Sequence, residues 1–340
     1  MKRLNRMVSG IAALAFILPS FARAEDKSIY GDDNRLDYFE APADMKELAR
    51  SVVSLWKNEH VRVDGGTARV ATANFGEAVG LCPSERFREQ PVGAFCSGSL
   101  VGEDLVMTAG HCIVDEAQCA DTRLVFGYAV TERGKAANTT VPAADVYSCK
   151  KIIKRDLDKP PTGTVGLIGA IVGNILDTTG PDYALIQLDR KVTDRRPLPI
   201  NRGSKVKQGT GVFVIGHPVG LPLKVAGDAR VRSSKFMRAH FTADLDTFGG
   251  NSGSPVFNVK TKKIEGILVR GGTDFVKSPE GCTVSYSVGQ NDGKGEAVTH
   301  VSVLKDYIPS FKSAPETSKL VELSPEDTEF EPLERTVSFD

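Results

Sequence analysis

At 340 residues the chain is long enough for one large domain or two small ones, each able to bury a sizeable core. Lys plus Arg and Asp plus Glu stand at 43 each, so no global charge draws the chain onto nucleic acid or a membrane surface. Any electrostatic preference has to be local.

The first residues read as an address. Lys2, Arg3 and Arg6 precede an apolar run from Met7 to Pro19, and Ala22-Arg23-Ala24 follows as a small-x-small cleavage signal. The run is shorter than the roughly 20 residues a bilayer-spanning helix needs, so residues 1–24 are expected to be a signal peptide, with the mature chain starting at Glu25. No later segment looks like a membrane span. From Ala43 to Trp56, "ADMKELARSVVSLW" spaces Met45, Leu48, Ala49, Val52, Val53 and Trp56 at helical intervals, which predicts a helix there with Trp56 in the core. Strand candidates follow in "FCSGSLVG", "DLVMTAG", "RLVFGYAV", "YALIQL", "GVFVIG", "SPVFNV" and "KIEGILV", each bounded by turn residues. Lys159 to Gly180 is apolar and Gly-rich without alternation and reads as an inserted loop. In "VSVLKDYIPSF", Val301, Val303, Leu304, Tyr307 and Ile308 could form one face of a final helix. Residues 313–340 are acidic and are expected to be disordered. No internal repeat is visible. Many short strands with few helices point to an all-β barrel or sandwich.

"TFGGNSGSPVF", from Thr247 to Phe257, sets Ser252 between glycines. Such a serine can simply turn the chain; it becomes a nucleophile only with a base to take its proton and a carboxylate to orient that base. Of the five histidines, only His111 has a telling context, at the end of an apolar strand in "TAGHC". His60, His217, His240 and His300 read as surface, loop or core residues. "TAGHC", "DYALIQL" and "GNSGSP", in the order His, Asp, Ser, resemble the chymotrypsin-like serine peptidases, and in particular the bacterial branch that includes the glutamyl endopeptidases. "IYGDDNR", "GHPVGLPLKV" and "GILVRGG" extend the resemblance from about Ile29 to Phe311.

The resemblance implies two six-stranded antiparallel β-barrels with a cleft between them and a C-terminal helix, spanning residues 25–312. It implies His111 as general base, Asp182 as its orienting carboxylate, Ser252 as nucleophile, and the N–H groups of Gly250 and Ser252 as an oxyanion hole. Asn251 stands where animal zymogens carry an aspartate that pairs with a freed N-terminus, and an amide cannot supply that charge. For the specificity pocket, Leu268 falls where glutamyl endopeptidases have a histidine. Asp246 falls where trypsin-like enzymes hold basic side chains, with Glu296 near the pocket base; a carboxylate pair would favour a cation. Thr247 and Gly271 complete the candidate substrate contacts.

Six cysteines in an exported chain suggest disulfides. They allow 15 pairings. None has CxxC spacing, which argues against a metal site. The related peptidases join cysteines at the places of Cys96 and Cys112; for the rest, Cys119 with Cys149 and Cys82 with Cys282 is the favoured assignment. The expected protein is a secreted or periplasmic serine endopeptidase. It would act as a monomer on a protein or peptide substrate, without cofactor, metal or nucleic acid. The alternative is a catalytically silent binding or adhesion module on the same fold.

Overall fold

The computed structural model describes residues 29–157, 180–235, 238–271 and 273–310. The expected signal segment, nearly all of the inserted loop and the acidic tail lie outside these residues. Among the described residues no helix is long and apolar enough to cross a membrane.

Twelve strands build the two barrels. The first comprises β1 (Val52–Lys57), β2 (Cys96–Leu100), β3 (Leu105–Thr108), β4 (Thr122–Val125), β5 (Val146–Leu157) and β6 (Asp182–Leu188). The second comprises β7 (Gly211–Gly216), β8 (Lys224–Ser233), β9 (His240–Ala243), β10 (Pro255–Asn258), β11 (Ile264–Arg270) and β12 (Glu296–His300). Around the first barrel the neighbours run β4-β5-β6-β3-β2-β1 and close on β4. Around the second they run β7-β10-β11-β12-β9-β8 and close on β7. The second order is the first shifted by six, and every pairing within the two rings is antiparallel. The chain therefore repeats one topology twice although its sequence shows no repeat. This is the chymotrypsin-like arrangement of two closed six-stranded barrels.

The helix expected over Ala43 to Trp56 is only half right. An α-helix covers Ala43–Ala49, and Val52 opens β1. The β-branched pair Val52-Val53 favours the pleated conformation. Alternation is missing because β1 is buried on both faces from Val52 to Trp56: Leu55 joins the core of the barrels, whereas Trp56 packs outward under a small sheet with Ala68, Val70 and Val141. The expected C-terminal helix is likewise not formed in the described residues, where Val301–Leu304 is a single 3-10 turn.

One apolar cluster runs through both barrels, joining Leu55, Val106 and Ile186 to Phe213, Phe257 and Ile267. Burial of each such side chain contributes roughly 1.5–3 kcal/mol, and this shared core locks the face that carries the site. A second cluster, with Val214, Phe241, Leu268 and Val298, fills the second barrel. The N-terminal segment is built onto that barrel. Arg35–Asp37 pairs with β8, and the buried Lys224 Nζ reaches Asp37 Oδ1 at 2.6 Å and Gln90 Oε1 at 2.7 Å.

Candidate active site

β3 ends at Thr108 and delivers His111 to the junction of the barrels, while Asp182 opens β6, which pairs with β3. The Asp182 carboxylate is 1% exposed and takes three bonds from the histidine turn. Oδ1 accepts the N–H of Gly110 at 2.6 Å and of His111 at 3.2 Å, and Oδ2 lies 2.8 Å from His111 Nδ1. A buried carboxylate needs such partners. They fix the imidazole so that Nδ1 carries the proton towards Asp182 and Nε2 is left as a proton acceptor. The His111 side chain keeps 37% of its exposure, so the ring is held on one edge and open elsewhere.

Three residues that sequence reasoning missed support this pair. Thr299 of β12 hydrogen-bonds the Asp182 backbone in both directions, its hydroxyl donating to the carbonyl at 3.0 Å and accepting the N–H at 3.3 Å. That ties the backbone of the first barrel's Asp182 to the second barrel. Arg155 of β5 donates to the Gly110 carbonyl at 2.8 Å. Ser97 of β2 joins the histidine and serine segments: its N–H donates to the Ser252 carbonyl at 2.9 Å and its carbonyl accepts from Thr108 Oγ1 at 2.7 Å. None of these sits in a motif; each is legible only once the barrels are assembled.

Disulfides join Cys96 to Cys112, Cys119 to Cys149 and Cys82 to Cys282. The first lies beside His111, with candidate ligand atoms of Cys96, His111 and Cys112 all within 4.8 Å of one another. Both sulfurs are bound to each other, so they offer no thiolate to an ion.

Ser252 is 7% exposed in a turn whose two neighbouring glycines have left-handed backbones, Gly250 at φ +78° and Gly253 at φ +88°. A side chain on Gly253 would collide with the Ser97 carbonyl and Thr108 Oγ1, so only glycine lets the turn lie this close to β2 and β3. The N–H groups of the turn are mostly engaged. Gly249 donates to Asp274 Oδ2 at 2.8 Å, Asn251 to Phe248 O at 3.2 Å, Gly253 to Leu268 O at 2.7 Å and Ser254 to Asn251 O at 2.9 Å. The two that donate to no acceptor among the described residues are those of Gly250 and Ser252.

The pocket candidates fare differently. Asp246 is 1% exposed. Its Oδ1 accepts the Tyr30 N–H at 2.8 Å and its Oδ2 the Asn34 N–H at 3.1 Å, so the carboxylate anchors the N-terminal segment rather than meeting a cationic side chain. Burial pushes its pKa up to about 6 against the opposing pull of those two bonds. Leu268 packs inside the second barrel's core and presents no surface to a ligand. Glu296 is wholly buried, and its charge adds to the burial that holds the Tyr30 phenol up. Thr247 is fully buried, and its Oγ1 has no partner among the described residues. Gly271 is half-buried just beyond β11. Asn251 is buried and its Oδ1 accepts from Ser254 Oγ at 3.3 Å.

The model of the trypsin-like peptidase domain matches residues 96–267. No curated protein matches the chain. Among solved structures the chain is similar to the VesB protease of Vibrio cholerae, at 17% identity and a TM-score of 0.46, covering 81% of this chain and 66% of that one; it thus spans just under two thirds of that protein's length. With the family model covering half of its residues, from the disulfide beside His111 to the strand beyond Ser252, the chain belongs to the trypsin-like peptidase family.

Proposed function

We propose that the protein is an exported serine endopeptidase of the bacterial branch of this family, cleaving peptide bonds through an acyl-enzyme. The observation that carries the reading is the buried Asp182 carboxylate held by Gly110, His111 N–H and His111 Nδ1. That arrangement engages the Nδ1 edge of the ring and leaves His111 Nε2 as the acceptor for the proton the reaction must move.

In this reading Ser252 Oγ attacks the scissile carbonyl as His111 Nε2 takes its proton. The carbonyl oxygen becomes an alkoxide that accepts the N–H groups of Gly250 and Ser252, the two left over in the turn. On collapse the C–N bond breaks, His111 gives its proton to the leaving amine, and Ser252 is left as an ester. Water then repeats the sequence, with His111 again as base, and frees Ser252. Asp182 stays ionised and stabilises the imidazolium formed in between. No metal or cofactor enters. Three disulfides suit an oxidising compartment and hence export, and the acceptance of two backbone N–H groups by Asp246 speaks against a preference for basic side chains.

The test is mass-spectrometric mapping of a fluorophosphonate probe on the protein, with casein hydrolysis alongside. Labelling at Ser252 that disappears in His111→Ala, and casein hydrolysis lost in Ser252→Ala, are the expected results. Absence of both in the wild type would leave the rival reading, a silent binding module on this fold.

A further inference from the structure

Gly249 and Gly250 are adjacent, and the amide between them is the one whose N–H serves the alkoxide in the reading above. Between two glycines an amide meets little steric resistance to turning over. Turned over, it would withdraw the Gly250 N–H and aim the Gly249 carbonyl at the developing negative charge. Three partners oppose this on three consecutive peptide groups. The Gly249 N–H donates to Asp274 Oδ2 at 2.8 Å. The Gly249 carbonyl accepts the Val219 N–H at 2.5 Å. The Gly250 carbonyl accepts from Ser97 Oγ at 2.9 Å, and that hydroxyl in turn takes the His217 N–H at 2.9 Å. Val219 makes its bond from an unusual backbone, φ +47° for a β-branched residue, so the 217–220 turn is shaped for it. Room is also absent on the far side, where a side chain on Gly250 would sit 2.8 Å from the His217 carbonyl.

Of these partners Asp274 is the carboxylate, and its bond is charge-assisted. It lies on the loop after β11, outside every motif, and its own carbonyl accepts the Tyr286 N–H at 3.0 Å, which braces it. We propose that Asp274 is a positioning residue for the oxyanion site: by fixing the Phe248–Gly249 peptide it keeps the next one, the Gly249–Gly250 amide, in the orientation that presents the Gly250 N–H. The inference rests on the peptidase reading, but its own evidence is the state of that amide.

The experiment compares the wild type, Asp274→Ala and Asp274→Asn in two measurements. The first is kcat and KM for p-nitrophenyl acetate; the second is the Gly250 amide resonance in protein labelled with 15N-glycine. Alanine should lower kcat about 10- to 100-fold, somewhat less than the loss of a whole oxyanion donor, with KM within about two-fold and the Gly250 resonance displaced. Asparagine keeps an acceptor oxygen and should restore most of the rate and the resonance. Wild-type kcat with an unmoved resonance in Asp274→Ala would overturn the proposal, as would equal losses in both variants with raised KM. If the wild type neither labels nor turns over, the peptidase reading fails; the resonance then decides the positioning role alone.

Discussion

At Asp246 two effects of opposite sign meet. Two backbone N–H groups favour the ionised carboxylate and burial favours the protonated one, and burial prevails, since the pKa rises to about 6. A group in that position cannot swing out to a substrate without abandoning Tyr30 and Asn34, whose N–H groups would then be left without acceptors at a cost of about 1–3 kcal/mol each. A peptide-library cleavage profile should therefore show no preference for Arg or Lys before the scissile bond, and Asp246→Asn should leave the profile unchanged. A basic preference lost in that variant would show that the carboxylate does reach the substrate. Thr247 and Leu268 follow the same logic: a residue at a pocket position contributes only where its polar atoms or its surface are open.

Among the elements, the disulfides differ in the length of chain they close and in what lies beside them. Cys82–Cys282 spans 200 residues and Cys96–Cys112 only 16. Loop-closure entropy puts their contributions at about 5 and about 3 kcal/mol respectively. The short bridge, however, lies in the segment that carries His111. Replacing Cys82 and Cys282 by serine should cost more in urea unfolding free energy, whereas replacing Cys96 and Cys112 should cost more in kcat on casein. The reverse ranking would mean that β3 positions His111 unaided. Strand pairing already contributes to placing the histidine, since Ala184–Gln187 of β6 pair with Leu105–Thr108 of β3, and the register that seats the barrel also sets Asp182 against the histidine turn. Thr299 extends the arrangement to the second barrel.

At the scale of the molecule, buried titratable groups set how stability varies with pH. Burial holds His217 down to about 3 and His300 down to about 4, so from pH 6.5 to about 4 the unfolded chain binds two protons that the native state refuses. Over nearly the same range native Asp246 binds one that the unfolded chain lacks; its contribution is complete below its unfolded value of about 3.9 and is lost as the pH rises towards 6. The balance of these three groups is one proton towards the unfolded state, so stability should fall with acidification by about 1.4 kcal/mol per pH unit between pH 6 and 4.5. In His300→Asn that dependence should weaken by the same amount, as read from urea unfolding across the interval; an unchanged slope would mean that His300 is protonated in the native state.

How much of this was legible in the chain depended on whether the signal was local. The strands around "CSGSL", "LVMT" and "GVFVIG", and the ordered "TAGHC", "DYALIQL" and "GNSGSP", could be read directly, because apolar runs between turn residues and glycine-flanked reactive groups are properties of a few consecutive residues. β1 could not, since burial on both faces erased its alternation. β5 and β8 could not either: bulges interrupt their pairing, and in β8 the charged Lys224 is buried. β12 carries Glu296 and His300 inside a barrel wall, against every local expectation for a strand. The hydrogen-bond partners of Asp246, Asp274, Ser97 and Thr299 were decided only by tertiary structure. Each partner is distant in the chain, and a hydrogen bond between such residues leaves no trace in the sequence on either side of it.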